Sequence, residues 1–207
     1  MTAPLLSDEK RDALQELVNV GMGAAGAALA RVLSAFVELS VPSIEVVDRR
    51  RIATLFNDGS WSDSDLCAVR QPFFGRITGE SLMLFDGGEI ARLADLMGGA
   101  PATSVGQQHE MLLDLANVVI GACVNNIAEP LAEVVSFGAP SVLKGRSNVC
   151  GFAVQDSGAW QRGLLVNVDF RLEAKSFRSR VFVFLSEQSL THVGHALTRF
   201  LDALAAN

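Results

Sequence analysis

The chain has 207 residues, of which 49% are hydrophobic and 19% charged, and its formal net charge is −6. This length fits one large domain or two small ones, and the apolar content excludes an intrinsically disordered chain. The acidic balance argues against a nucleic-acid-binding surface, because phosphate contacts require clustered Lys and Arg. The one basic run, residues 49–51, is short and is interpreted as a solvated turn, with a partner-docking surface as the alternative.

Three cysteines, Cys67, Cys123 and Cys150, lie far apart in the sequence and form no CxxC pair. They are interpreted as small buried residues in a reducing cytoplasm, and no metal site is predicted from them. The N-terminal residues run directly into a charged stretch, so no signal peptide is predicted. The longest uncharged stretches, 17–30 and 115–128, are shorter than the roughly 18 residues of a membrane span. They are predicted to be helices buried in a soluble core.

The first predicted element is a helix that begins at the N-cap Ser7, with acidic residues in its first turn. Its apolar pattern continues into 33–36, and the small residues of 21–26 leave open a bend or a split. Alternating apolar and polar residues over 37–47 then predict a strand, with Pro42 at an edge or a bulge.

Four shorter elements are predicted between this strand and the middle of the chain. Residues 49–56 are predicted to form a short helix, followed by a polar loop at 57–65. Two strands are predicted at 66–74 and 77–85, with glycines that permit a turn or a bulge between them. A helical stripe of apolar residues follows at 90–97.

The same order of elements then begins again. A helix is predicted from residue 107 to about 137, with Pro130 breaking it and starting a second helix. The remaining predicted elements are weak strand candidates at Val142 and 149–154, stronger strands at 164–172 and 177–185, and a closing helix at 187–204.

Two stretches of the chain carry the same sparse polar pattern, and each position is displaced by 98 residues. Fixed-offset self-similarity is typical of a duplicated structural unit. An acidic residue and an amide three positions apart point from the same face of a helix, so each copy contains a candidate working pair. The two copies are Asp12, Glu16, Asn19 and Pro42, and then Glu110, Asp114, Asn117 and Pro140.

The self-match extends to the C-terminal part of each copy, where Phe85 corresponds to Leu185 at an offset of 100. The only natural joint between the copies is 100–106. We therefore expect residues 1–207 to form a single domain made of two similar repeats, about 7–99 and 106–205, that share one core.

Two other motifs have simpler explanations. Gly21, Gly23 and Gly26 match the dinucleotide-binding fingerprint, but that fingerprint requires a preceding strand and here a charged helix precedes it. Close helix packing is the better interpretation. His192 and His195 lie three positions apart on the closing helix without an evident third ligand, so a surface or boundary position is preferred to metal binding.

The first copy resembles the helix signature of the CheC/CheX/FliY phosphatases of bacterial chemotaxis. Asp12-x3-Glu16-x2-Asn19 is followed by Gly-x-Gly-x-Ala and, after the expected 22 intervening residues, by Pro42. The resemblance covers the whole chain, and by length CheC is the best fit within the family. It implies a mixed α/β fold of the α+β type, internally duplicated with a pseudo-two-fold axis, with antiparallel sheets and two long signature helices.

The resemblance also implies a substrate, the phospho-aspartate of a CheY-like response regulator in chemotaxis or two-component signalling. The regulator supplies the Mg²⁺ and a lysine, so the chain is expected to need no cofactor or metal of its own. The phosphatase then positions the attacking water without forming a covalent intermediate, which is the larger part of phosphoryl-transfer catalysis.

Roles for individual residues follow from the same resemblance. Asn19 would hydrogen-bond the attacking water, because its carboxamide has a donor and an acceptor. Glu16 would pair with the regulator's lysine and set the register of docking, and Asp12 would tune that docking. Pro42 is expected to shape the structure without acting chemically.

The second copy departs from the signature. Asp114 stands where Glu is expected and Glu110 where Asp or Ser is expected. An Asp is one methylene shorter, which loses roughly 1.3–1.5 Å of reach. A displacement of about 1 Å can lower a rate on the order of 100-fold. Asp114 and Asn117 are therefore predicted to form a second, weaker site, with Glu110 in a docking role.

Several functions stay open at this level. The chain is expected to be a cytoplasmic hydrolase, an aspartyl-phosphate protein phosphatase, with a phosphorylated regulator as partner. Alternatively it is a non-catalytic binding module that senses such a regulator or modulates a CheD-like receptor deamidase. A purely structural α/β module is the third possibility. Neither a nucleic acid nor a membrane is expected as a partner.

Overall fold

The computed structural model describes residues 6–56, 66–86, 104–154, 162–172 and 177–206. The predicted loop at 57–65 and the predicted helix at 90–97 lie outside these residues. Within the described ranges the elements are, in chain order, α1 (Asp8–Leu33), β1 (Val37–Leu39), β2 (Ser43–Asp48), α2 (Arg49–Phe56), β3 (Leu66–Gly75), β4 (Gly79–Asp86), α3 (Val105–Ala128), a 3-10 turn (Glu129–Leu131), β5 (Val135–Phe137), β6 (Ser141–Lys144), α4 (Arg146–Val154), β7 (Arg162–Leu172), β8 (Phe177–Ser186) and α5 (Glu187–Ala205).

The eight strands of the described residues join one antiparallel sheet, in the order β1-β7-β8-β4-β3-β5. Strand β2 also pairs with β7, and β6 also pairs with β3. The predicted strands at 66–74, 77–85, 164–172 and 177–185 are confirmed as β3, β4, β7 and β8. Mixed helices and an antiparallel sheet confirm the predicted fold class.

The short strands after each long helix pair with the opposite half of the chain. In β1, Val37 lies opposite Leu172 of β7, and in β5, Val135 lies opposite Gly75 of β3. Val135 stands 98 positions after Val37, and Leu172 stands 97 positions after Gly75. Corresponding strands therefore make corresponding pairs: β1 of the first half pairs with β7 of the second, and β5 of the second half pairs with β3 of the first. The repeat limits at 7–99 and 106–205 stay a prediction.

The sheet is covered on both faces, and each face contributes buried apolar residues to a core cluster. Alternate residues of a strand point to opposite faces, so Cys67 and Val69 pack on the side of α1 and α3. Leu66 and Ala68 pack on the other side, with Val149 of α4. The long helices α1 and α3 thus rest on a fully packed sheet.

Helix α1 is continuous over 26 residues, so the split left open at 21–26 does not occur. It follows Ser7 as predicted, although the Ser7 side chain makes no capping hydrogen bond. It ends at Ser34, which has a left-handed backbone with φ of 48°. The chain then turns into β1, and Pro42 lies between β1 and β2.

Two predictions in the second half are wrong. Helix α3 ends at Ala128, and a single 3-10 turn containing Pro130 leads to β5 in place of a second helix. Residues 149–154 belong to helix α4, not to a strand, and Val149 is fully buried under the sheet. Short apolar runs do not distinguish a strand from a buried helix, and tertiary packing decided this one.

The closing helix is confirmed as α5, and hydrogen bonds to Glu133 connect it to the segment between the 3-10 turn and β5. Glu133 is only 7% exposed and accepts hydrogen bonds from His192 Nε2 at 2.9 Å and Arg199 Nη2 at 3.0 Å. A buried carboxylate requires such partners to offset its desolvation. His192 thus has the boundary position predicted for it, while His195 is exposed.

Two helical ranges, Asp8–Leu33 and Gly106–Leu131, are long and apolar enough to cross a membrane by length and composition alone. About half of each range is buried within the fold. Core helices meet the same criterion. The burial of both ranges agrees with their predicted packing in the core.

Candidate functional site

The outward face of α1 carries the first candidate site. Its inner face buries Leu14, Leu17 and Val18, because these apolar residues recur at helical spacing. Asp12, Glu16 and Asn19 are all exposed on the opposite side. Their spacing of four and then three residues places them on one face, one above another.

The carboxylates of the first site have no counter-ion among the described residues. Neither Asp12 nor Glu16 forms an ion pair or a side-chain hydrogen bond with another described residue. Two outward carboxylates without counter-ions make this face electronegative, and they are available to a cationic group of a partner.

The Asn19 carboxamide is held by a residue of its own helix. Gln15 Nε2 donates to Asn19 Oδ1 at 3.1 Å and to the Pro42 carbonyl oxygen at 3.1 Å. A carbonyl oxygen only accepts, so Gln15 must present its NH₂ group to Pro42. The same NH₂ group faces Asn19, which therefore presents its oxygen to Gln15. Among the described residues, the Asn19 Nδ2 group makes no hydrogen bond.

The outward face of α3 carries the second candidate site. Glu110, Asp114 and Asn117 are all exposed, at the spacing seen in α1. A capping box fixes the N-terminus of α3. The Gln107 backbone N–H donates to Ser104 Oγ, and the Ser104 backbone N–H donates to Gln107 Oε1. The acidic residue of this pair is Asp114, whose side chain is shorter than that of Glu16.

The Asn117 carboxamide is held from the sheet. Gln71 of β3 is only 1% exposed, and its Nε2 donates to Asn117 Oδ1 at 2.9 Å. The other end of this amide, Gln71 Oε1, is buried and has no hydrogen-bond partner among the described residues. An unpaired buried oxygen lowers the free energy of unfolding, so Gln71 destabilises the fold at this position of the strand.

Each asparagine is followed by an exposed valine. Val20 is 54% exposed and Val118 is 39% exposed, and both project from helix positions next to the signature amide. Single exposed apolar residues are common on surfaces. Here the two occupy corresponding positions, so each candidate site combines carboxylates, a carboxamide and one apolar side chain.

The glycines of α1 place the two signature helices in close contact. A Cβ atom on Gly21 would lie 2.9 Å from Ile127 Cγ1 and 3.0 Å from the Cys123 carbonyl oxygen of α3. A Cβ on Gly26 would lie 2.8 Å from Leu39 Cδ1. The predicted close helix packing is therefore confirmed for Gly21, whereas Gly26 packs closely against Leu39 of β1 and not against a helix. A Cβ on Gly23 would meet nothing within 4 Å, so its packing role is not confirmed.

Sequence reasoning identified the exposed pairs but missed Gln15 and Gln71. Gln15 precedes Asn19 by four residues, and a Gln–Asn pair at that helical spacing is a recognisable local signal. Gln71 is 46 positions from Asn117 and belongs to an apolar strand. Only the pairing of helix and sheet reveals its contact.

No family model matches the chain. In sequence it is 24% identical over 142 residues to the flagellar motor switch phosphatase FliY of Bacillus subtilis. The matched region is 66% of this chain and 36% of the relative, so the chain spans about a third of the relative's length.

Several solved structures share the fold. FliY of Thermotoga maritima is 18% identical with a TM-score of 0.69, covering 94% of this chain and 98% of the other. The FliM middle domain of Vibrio alginolyticus is 12% identical with a TM-score of 0.62, covering 88% and 99%. The CheX–CheY–BeF₃–Mg²⁺ complex of Borrelia burgdorferi matches at 15% identity and a TM-score of 0.52, covering 80% and 95%.

The chain is therefore an α+β protein with an outward carboxylate–carboxamide pair on each of two long helices. The sequence match to a FliY and the fold shared with solved FliY and CheX structures support the predicted resemblance to the CheC/CheX/FliY family. The finer preference for CheC stays a prediction, since the curated relative it matches is a FliY.

Proposed function

We propose that this chain hydrolyses the phospho-aspartate of a CheY-like response regulator in the cytoplasm. The single observation that carries the proposal is the exposed pair of Glu16 and Asn19 on one face of a continuous helix. A relative in sequence is named a phosphatase, and a structural neighbour is a CheX bound to CheY with BeF₃ and Mg²⁺.

The chemistry requires little of the phosphatase itself. A water oxygen attacks the phosphorus in line with the leaving carboxylate, the bond from phosphorus to the aspartyl oxygen breaks, and inorganic phosphate leaves. The regulator's aspartate is recovered as a carboxylate, and the water protons pass to phosphate and solvent. Catalysis then consists of positioning and charge stabilisation, with the Mg²⁺ held by the regulator.

The residues of α1 fit the two positioning tasks. The Asn19 carboxamide retains two N–H donors and one oxygen lone pair after its bond to Gln15, which suffices to orient a water molecule. Glu16 carries an unpaired charge that would bind the regulator's lysine, and Asp12 extends the same electronegative face by one turn. Both tasks require accessible side chains on a rigid element.

The test is the decay of a phosphorylated regulator with and without this protein. The wild-type protein is expected to accelerate the decay, and Glu16→Ala combined with Asn19→Ala is expected to remove most of the acceleration. A removal of about 10²-fold or more agrees with the loss of a positioned water and a charge contact. Acceleration that persists in the double variant excludes Glu16 and Asn19 as the working pair.

The two sites are expected to be unequal. Asp114 and Asn117 are proposed as a second, weaker site, because the shorter Asp114 withdraws the carboxylate by roughly 1.3–1.5 Å. Asn19→Ala is expected to lower the rate more than Asn117→Ala, measured under the same conditions. The opposite order would show that the second site dominates.

A binding role without hydrolysis predicts a different pattern. A regulator trapped with BeF₃ and Mg²⁺ would then be retained by the wild-type protein, while the decay of its phosphorylated form would be unchanged. The FliM middle domain shares the fold, so the fold alone does not decide between the two functions. Retention of a CheD-like partner in the same pull-down would favour the regulatory alternative.

A further inference from the structure

We propose that Gln15 and Gln71 are the positioning residues of the two sites, each fixing the rotation of one signature asparagine. This inference rests on the proposed function. In both sites a glutamine Nε2 donates to the asparagine Oδ1, at 3.1 Å for Asn19 and 2.9 Å for Asn117. The asparagine NH₂ group is thereby directed away from its glutamine, toward the partner.

The two glutamines do not occupy corresponding positions. The residue 98 positions after Gln15 is Leu113, and the residue 97 positions after Gln71 is Val168, the offset that relates the paired strands β3 and β7. The halves have therefore reached the same contact by different means, one from the helix and one from the sheet. Because no inherited symmetry explains this agreement, a requirement on the asparagine explains it better.

In the first site, a chain of two hydrogen bonds from Pro42 through Gln15 to Asn19 fixes which atom of each amide faces the other. Pro42 presents a carbonyl oxygen to Gln15, so the Gln15 amide is oriented with NH₂ toward both Pro42 and Asn19. The proline of the signature is thus connected to the asparagine through Gln15 in this chain.

The second site shows that the contact is retained at a cost to the core. Gln71 of β3 is 1% exposed, and its Oε1 is unpaired among the described residues. A leucine of similar volume would pack there without an unsatisfied oxygen. A glutamine at position 71 is explained if its NH₂ group is needed to orient the Asn117 side chain.

The first experiment uses the full chain carrying Asn117→Ala, so that only the first site operates. Gln15→Leu introduces the residue found at position 113, and Gln15→Glu keeps the length but replaces the donor with an acceptor. Both are expected to lower kcat for regulator dephosphorylation about tenfold, while KM stays within about twofold. Gln188→Leu, an exposed helical glutamine remote in sequence from both signatures, is the matched control and is expected to leave both constants unchanged.

The second experiment uses the full chain carrying Asn19→Ala. Gln71→Leu is expected to lower the remaining kcat about tenfold while the melting temperature is unchanged or higher. A purely structural glutamine predicts the reverse, a lower melting temperature with kcat retained. That reverse result would overturn the assignment of Gln71.

A readout independent of activity separates this inference from the proposed function. The side-chain NH₂ signals of Asn19 and Asn117 in ¹H–¹⁵N NMR spectra are expected to report rigid groups in the wild type. Gln15→Leu should make the Asn19 group mobile, and Gln71→Leu the Asn117 group. A protein without phosphatase activity but with these NMR changes would refute the function alone. Asparagine groups that are already mobile in the wild type, or a kcat unaffected by either glutamine variant, would refute the positioning role.

Discussion

At the scale of single residues, Cys123 shows how burial controls chemistry in this fold. The Cys123 thiol is fully buried and contacts Met22 Sδ of the other signature helix at 3.6 Å. Burial raises the pKa of Cys123 to about 12, because a thiolate would lose its hydration there. Cys67 is also buried, and burial raises the pKa of its thiol too. Both agree with the predicted interior positions, while the side chain of Cys150 lies outside the described set.

A pH dependence of stability follows from the raised pKa of Cys123. The unfolded thiol titrates near its ordinary value of 9.0, and the folded thiol at about 12. The contribution to stability is therefore complete below about pH 9 and declines as the pH rises from about 9 toward about 12. Urea denaturation between about pH 8 and about pH 10.5 is expected to show a smaller decline for Cys123→Ala than for the wild type. If the free energy of unfolding fell equally with pH in the two proteins, the buried Cys123 thiol would not be a source of the pH dependence.

The exposure of the signature residues was predictable from the sequence, whereas the orientation of the Asn19 side chain was not. The exposure of Glu16 and Asn19 follows from helical spacing against Leu14, Leu17 and Val18, so it was predictable from the sequence. The rotation of the Asn19 side chain was not, since it depends on where the Pro42 carbonyl lies after the chain has turned through β1.

At the scale of elements, α1 combines two kinds of glycine. Gly21 is buried against α3, where an added methyl group would meet the α3 backbone, whereas Gly23 is exposed with free space around it. A glycine inside a helix costs about 1 kcal/mol relative to alanine. At Gly21 the close packing against α3 explains this loss of helix stability. At Gly23 no contact within the fold explains it.

Alanine substitutions at the two glycines are expected to act in opposite directions. Gly21→Ala should lower the free energy of unfolding by about 1–3 kcal/mol, because the new methyl group overlaps Ile127 and the Cys123 carbonyl. Gly23→Ala should raise it by about 0.5–1 kcal/mol through helix propensity. Urea denaturation of both variants measures the difference. Similar effects of the two substitutions would show that α1 and α3 are not packed this closely.

Helix α4 illustrates where local patterns fail. Residues 149–154 carry apolar and aromatic side chains that favour a strand, yet the segment is helical and Val149 lies in a cluster with Val47 and Leu66. The chain enters this helix through Gly145, whose φ is 77°. Packing against the sheet outweighed the local preference, which spans a range of only about 1 kcal/mol.

At the scale of the whole molecule, the two halves exchange strands. Strands β1 and β2 pair only with β7, and β5 and β6 only with β3, within the described sheet. A half without its counterpart would expose these strand edges and the apolar face of its long helix. The signature helices are therefore held rigid by contacts that no single half can supply.

Separation of the chain within the predicted joint tests this dependence. Fragments 1–103 and 104–207, each alone at micromolar concentration, are expected to lack a cooperative unfolding transition as monomers. Mixed, they should form a one-to-one complex with restored helix content, measured by circular dichroism and size-exclusion chromatography. A monomeric fragment that unfolds cooperatively by itself would show that the exchanged strands are dispensable.

The sequence by itself determined the long amphipathic helices, the main strands and the outward pairs of Glu16 with Asn19 and Asp114 with Asn117. These features depend on contacts between near neighbours, so spacing and residue type suffice to predict them. Only the tertiary structure decided the pairing of β1 with β7 and the contacts of Gln15 with Pro42 and Gln71 with Asn117. Those contacts join residues distant in the chain, and their geometry is set by how the sheet closes between the halves.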